Sequence, residues 1–303
     1  MDQHWDAIVV GAGSAGLSAA LMLGRARRRV LVLDGGAPRN AVAAHMHGVL
    51  GHDGLPPLEL VARGRDEIAT YGGEIRSARA SGARLTSDGV IVTVGDEELR
   101  ARRMIVATGL SDELPPIPGI QQHWGRGVVV CPYCDGWEHR DERIAVLATS
   151  PGSVNYAQLL RQWSDDVVFL LGDVAEPADD ELAALEARGI RVERRGIRGI
   201  VADDDRLRGI ELEDGAVLEI DVIFTHTAVT PNDALLRAVG AEVNEDGWPV
   251  IDLTGRTSVE TVWAIGNLVN SGANVPVSIA AGAMAGAAVN MDLVFDDIAR
   301  ATG

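Results

Sequence analysis

The segment DAIVVGAGSAGLSAALMLGRARRRVLVLDGG, residues 6 to 36, constrains the fold more than any other stretch of the chain. It reads as an apolar strand, a glycine turn, a helix with small residues on one face and a second apolar strand ending at Asp34. That is a complete strand, helix and strand unit of a parallel sheet. In GAGSAG, Gly11 permits a tight turn, Gly13 lets the backbone approach a pyrophosphate, and Gly16 lets the helix pack close to the strand. The helix N-terminus offers free N–H groups and a partial positive charge to phosphates. Asp34 follows Gly16 by 18 residues, a position from which a carboxylate accepts hydrogen bonds from ribose hydroxyls. The pattern predicts a dinucleotide site without choosing between FAD and NAD.

The same order recurs once, as a repeat of pattern rather than identity, in RIAVLATSPGSVNYAQLLRQWSDDVVFLLGD at 143 to 173. Strand-like patches at 90 to 94 and 104 to 107 and a proline-rich passage, ELPPIPGI, at 113 to 120 lie between the two. The prediction is an α/β chain with two Rossmann-like dinucleotide-binding domains, the second inserted into the first. Residues 1–113 and 226–303 form one domain and 114–225 the other. MIVATG (104–109) and TSVETVWAIGN (257–267) each end a strand in small residues, where a second part of one ligand would lie.

A chain of 303 residues needs no covalent staples, so its two cysteines, Cys131 and Cys134, need not be structural. The N-terminus enters an apolar strand without the basic start and cleavage site of a signal peptide. The expectation is a cytoplasmic protein, where thiols stay reduced unless used. The net charge of −17 argues against nucleic acid and anionic membrane surfaces. VPVSIAAGAMAGAAV, at 275 to 289, is too short to span a bilayer and predicts a buried helix. All 27 basic residues are Arg, which removes lysine nucleophiles and Schiff bases.

Three readings compete for CPYC. A structural zinc site needs four ligands, and neither a second CxxC nor a histidine pair at ligand spacing is present, so no metal is expected. A static disulfide does not suit a cytosolic protein. Redox exchange remains: two thiols at this spacing close a small ring, and a lowered thiol pKa supplies thiolate. Asp135 directly follows and either shuttles a thiol proton or is an ordinary solvated acid. Tyr133, Trp137 and His139 either line the approach or simply pack and face solvent. His45, His47 and His52, in RNAVAAHMHGVLGHDGLPPLEL, either join a small-substrate pocket or sit in an exposed loop.

Through GAGSAG, IVATG, CPYCDG and TSVETVWAIGN the chain resembles the low-molecular-weight thioredoxin reductase family over almost its whole length. The resemblance implies FAD bound by Gly11, Gly13, Ser14, Ala15, Gly16, Asp34, Gly35, Arg39, Asn40, Ala107, Thr108, Gly109, Gly266, Asn267 and Val275. Asn267 replaces the usual Asp near the ribityl chain, which an amide can still hydrogen-bond. By the same resemblance Cys134 is the flavin-facing thiol, Cys131 the interchange thiol and Asp135 the acid/base, and the protein is a homodimer with the Ala/Gly-rich helix near the contact.

The resemblance breaks at the second turn. Ala148, Ser150 and Ser153 replace the glycines and alanine of the family's NADPH motif, and Pro151 lacks an N–H. The next strand runs into Gly172, Asp173 and Glu176 where basic residues would clasp a phosphate. Residues 113 to 225 hold 11 Arg against 22 acidic residues, a rim that repels phosphate. NADPH is therefore disfavoured. The chain looks closer to the FAD-dependent dithiol oxidases that close disulfides in holomycin- and gliotoxin-type products, which implies a small-molecule dithiol substrate and oxygen as acceptor. The alternatives are a reductase of thioredoxin or a similar protein, fed by NADPH or ferredoxin, and a flavin-linked redox sensor.

Overall fold

The computed structural model describes residues 4–204 and 206–302. They divide into two compact units. The first comprises the described residues up to Ala41, Pro56–Ser111 and those from Val229; the second is Val42–Leu55 and Asp112–Ala228. Residues 42–55 thus depart from the expected division, since they cluster with the insert. Met46 and Val49 are buried there, and Val42 lies so close to Gly125 that a Cβ on the glycine would come within 2.5 Å of it.

In the first unit, β1 (His4–Val10), α1 (Ser14–Arg25) and β2 (Val30–Asp34) form the predicted opening motif. Then follow α2 (Pro57–Thr70), β3 (Glu74–Ser77), β4 (Gly82–Thr86), β5 (Gly89–Val94) and β6 (Glu97–Val106). The sheet order is β3-β2-β1-β6-β5-β4. The long β6 serves two neighbours on one edge. Its first half pairs antiparallel with β5, and Met104–Val106 pairs parallel with a last strand, Val262–Ala264. Val10 is level with Leu33 on one side and Val106 on the other, and Val106 is level with Ala264. This register brings Gly11, Asp34, Ala107 and Ile265 to one end of the sheet, where open α/β sheets take their ligands.

The C-terminal helix runs Val275–Thr302, 28 residues rather than the expected 275–289. By length and composition alone it could cross a bilayer, with a mean hydropathy of 1.5 over its most apolar window. One face of it packs into the first unit. A Cβ on Gly282 would stand 2.1 Å from the Ala15 carbonyl oxygen, and one on Gly286 2.7 Å from that of Ala19. Ser18 Oγ donates to the Ile279 carbonyl at 2.8 Å. The small-residue face, expected near a dimer contact, is therefore spent on α1. Further along, Asp296 and Asp297 take Arg102 at 2.7 and 2.6 Å, Asp297 takes Arg28 at 2.8 Å, and Asp292 pairs with Arg103 and Arg256.

The second unit carries β7 (Val128–Val129), α3 (Pro132–Asp135), β8 (Ile144–Leu147), α4 (Ser153–Leu160), β9 (Val167–Leu170), α5 (Asp179–Ala187) and β10 (Arg191–Glu193). Beyond them come β11 (Ile197–Asp203), β12 (Arg206–Leu212), β13 (Val217–Glu219) and β14 (Val222–Thr225). Five strands form a parallel sheet in the order β10-β9-β8-β14-β7, and β11 to β13 make an antiparallel three-stranded sheet. Val146, Phe169 and Phe224 are fully buried in its core, as central parallel strands require.

Candidate active site

The glycine turn of the first unit is built by close approach. Gly11 has φ +111°, and a Cβ there would stand 2.3 Å from the Ala107 carbonyl oxygen; one on Gly16 would stand 1.9 Å from that of Gly11. Both positions admit only glycine. Gly13 is different, because a Cβ there would meet nothing within 4 Å. No side chain caps α1 at Gly13, so the start of the helix keeps N–H donors without a side-chain partner, which fits a pyrophosphate. Gly266, at φ +71°, closes against Ala15, 2.9 Å from where its Cβ would stand.

The other predicted cofactor residues vary in what they leave for a ligand. One oxygen of Asp34 accepts the Gly36 N–H at 2.7 Å, and the other takes the Arg65 guanidinium, a partner the sequence did not announce. Gly35 follows it with Arg79 on its carbonyl at 3.3 Å. Arg39 and Asn40 open a short turn at Arg39–Val42. Thr108 exchanges hydrogen bonds with Asn232 at 2.8 and 3.0 Å, and Gly109 adopts φ +69°. Val275 starts the C-terminal helix. Asn267 departs from expectation: its Nδ2 donates to the carbonyls of Asn270, Ser271 and Ala273 at 3.0, 3.3 and 2.9 Å. Its donor is spent on its own loop, which leaves Oδ1 as the atom for a ligand.

In the second unit, Cys131 precedes α3, Pro132 holds the first helical position, and the Cys134 and Asp135 N–H groups donate to the Cys131 carbonyl at 3.0 and 3.1 Å. The two sulfurs are joined in a disulfide, with Cα atoms 5.1 Å apart. Gly136 is forced, because a Cβ there would stand 2.4 Å from the Pro132 carbonyl oxygen and 2.9 Å from Trp163. Tyr133 and Trp137 are 72% and 65% exposed. Tyr133 stands edge-on to Trp163, and Arg140 covers the Trp137 ring at 4.5 Å. These aromatics flank the disulfide in the open rather than enclosing it.

Burial raises the Asp135 carboxyl to about 6 against the pull of His139; Glu138 adds to the rise and His47 opposes it. A carboxyl in that state can hold or release a proton near neutrality. Of the three loop histidines, only His47 reaches this segment: Nε2 lies 3.4 Å from Glu138 and Nδ1 3.5 Å from Asp53. His45 and His52 are exposed, and the structure does not bring them to the disulfide. Sequence reasoning missed Glu138, Glu142 and Tyr156. His139 Nδ1 is 2.7 Å from Glu142, an i, i+3 pair legible in HRDE. Tyr156 stacks against His226 at 4.2 Å and donates to the Val130 carbonyl, next to Cys131. Burial, and then the Asp135 charge, push the Tyr156 hydroxyl far above its usual range.

The second turn is closed from within. Ser153 is fully buried, and its Oγ accepts the N–H groups of Thr149 and Ser150 at 3.1 and 3.3 Å. Those are donors that an open turn would present to a phosphate. Nearby basic groups are also committed, Arg194 to Glu176 at 2.7 Å and Arg195 to Glu193 and Asp214 at 2.6 and 2.9 Å.

Comparison with known proteins identifies the family. The family model of pyridine nucleotide-disulphide oxidoreductases matches residues 5–282. Thioredoxin reductase tcpT of Claviceps purpurea is 32% identical over 304 residues, covering 96% of this chain and 95% of that protein. A probable thioredoxin reductase of Arthroderma benhamiae is 33% identical over 190 residues, 60% of this chain and 47% of the relative. Among solved structures, HlmI superposes with a TM-score of 0.95 at 44% identity, covering 99% of this chain and 96% of its own.

Proposed function

The chain belongs to the pyridine nucleotide-disulphide oxidoreductase family, and on that premise we propose that it is an FAD-dependent dithiol oxidase that closes a disulfide in a small molecule. One observation carries the reading. The first glycine turn is open at Gly13, whereas Ser153 fills the second from its own helix. A chain built this way keeps a flavin and gives up the nicotinamide donor, so the dithiol becomes the source of electrons.

Cys131 is the sulfur a substrate thiolate attacks, and Cys134 leaves as thiolate. The second substrate thiol, deprotonated with Asp135 as acceptor, then displaces Cys131 and releases the oxidised product. FAD, held at the turn of Gly11, Gly13 and Gly16, would supply the two-electron acceptor for the reduced pair, with oxygen as the final oxidant and peroxide as its product. Tyr133 and Trp137 offer exposed aromatic faces to the substrate beside the disulfide, and His47 contributes from the loop at 42–55. A thioredoxin-like protein is the competing partner class, fed by NADPH or ferredoxin if the chain is a reductase.

The protein acts in the cytoplasm as a homodimer. Val277, Met284, Met291 and Ile298 are all exposed on the C-terminal helix, at seven-residue steps along one line, with Phe295 beside them. Such a stripe matches a second copy of itself. The test of the activity is an oxygen-electrode assay with dithiothreitol as substrate. One oxygen consumed and one peroxide formed per dithiol oxidised is expected, with turnover abolished in Cys134→Ser; peroxide production that survives in that variant would remove the dithiol pair from the reaction.

A further inference from the structure

We propose that His139, backed by Glu142, relays the proton between Asp135 and water during exchange at Cys131 and Cys134. The inference rests on the dithiol-exchange reading above. When a substrate thiol attacks Cys131, a mixed disulfide forms, the Cys131–Cys134 bond breaks and Cys134 departs as thiolate. The second substrate thiol then displaces Cys131 from the mixed disulfide, and its proton must go somewhere. Asp135 takes it, and for Asp135 to act again that proton has to leave a largely buried carboxyl.

The geometry supplies one exit. Gly136 N–H donates to the Pro132 carbonyl at 2.9 Å and His139 N–H to the Asp135 carbonyl at 3.3 Å. The chain therefore turns helically past α3, and at i, i+4 the Asp135 and His139 side chains share a face. The Nδ1 contact with Glu142 fixes one ring nitrogen as the bound one and leaves Nε2 to exchange protons. The ring stands edge-on to Phe224, 6.3 Å between centroids, which fixes its plane. The path also runs outward, since the side chains of His139 and Glu142 are 22% and 38% exposed.

Other neighbours fit the role less well. Around Asp135 stand Glu138 and His139 on its own segment, His47 from the loop at 42–55 and Tyr156 from α4, besides the two cysteines. The Tyr156 hydroxyl already donates to Val130, and His47 lies between Glu138 and Asp53. Among the described residues the Asp135 carboxyl has no hydrogen-bond partner, so it is not locked into a structural network. When protonated, His139 also favours the ionised form of Asp135.

The test is flavin reduction by dithiothreitol in the holoenzyme, followed without oxygen in a stopped-flow instrument from about pH 5 to 9. His139→Ala is expected to slow reduction on the order of 10-fold and to move the acid limb to higher pH, because Asp135 loses its counter-charge; free imidazole should restore the rate. His139→Gln, which keeps a polar contact but carries no proton onward, should be as slow. Unchanged kinetics, or a loss equal at every pH that imidazole does not reverse, or a Gln variant as fast as the parent, would overturn the relay alone. Failure of the parent flavin to be reduced by the dithiol would overturn the exchange reading and the relay with it.

Discussion

At the scale of single residues, Asn267 shows how little a side chain's name says about its work. The amide holds three carbonyls of its own loop just before the C-terminal helix, which no carboxylate can do. Asn267→Asp, although it restores the residue usual in the resembling family, is expected to destabilise the protein by about 1–3 kcal/mol, because three acceptors lose their donor and face an anion. A thermal midpoint and a flavin-to-protein ratio equal to the parent's would contradict this. The glycines of GAGSAG and the cysteine pair were legible in the sequence because backbone space and thiol spacing are local properties. His45, His47 and His52 were not separable there, because only the packing of residues 42–55 decides that His47 alone meets Glu138.

At the scale of elements, the C-terminal helix runs on past the apolar stretch at 275–289 that predicts it, through Asp292, Asp296 and Asp297. Arg102, Arg103, Arg28 and Arg256, distant in sequence, neutralise those acids and let the helix continue. Its seven-residue apolar stripe becomes visible only once its length is known. The small-residue face was legible, but its partner, α1, was not. Gly282→Ala places a methyl 2.1 Å from a backbone oxygen that cannot move aside, and a loss of about 1–3 kcal/mol or more is expected. Chemical denaturation of the holoenzyme reads it, and an unchanged midpoint would refute the packing. The altered second turn was also legible, since Ala148, Ser150 and Pro151 spoil a phosphate loop on sight. That Ser153 turns back to fill it is a property of the folded turn alone.

At the scale of the whole molecule, two properties belong to neither unit alone: assembly and the direction of electron flow. Met284→Glu with Met291→Glu puts charges into the exposed stripe and should give a monomer by light scattering, with flavin content retained; a dimer that persists would place the contact elsewhere. Electron flow is the central claim, and the flavin's own colour reports it. The measurement is the absorbance of the purified holoenzyme without oxygen, first with micromolar NADPH and then with dithiothreitol. The account predicts no bleaching with NADPH, full bleaching with the dithiol, and recovery with peroxide formation on admitting air. Rapid bleaching by NADPH would contradict it and make the chain a reductase despite the closed turn at Ser153.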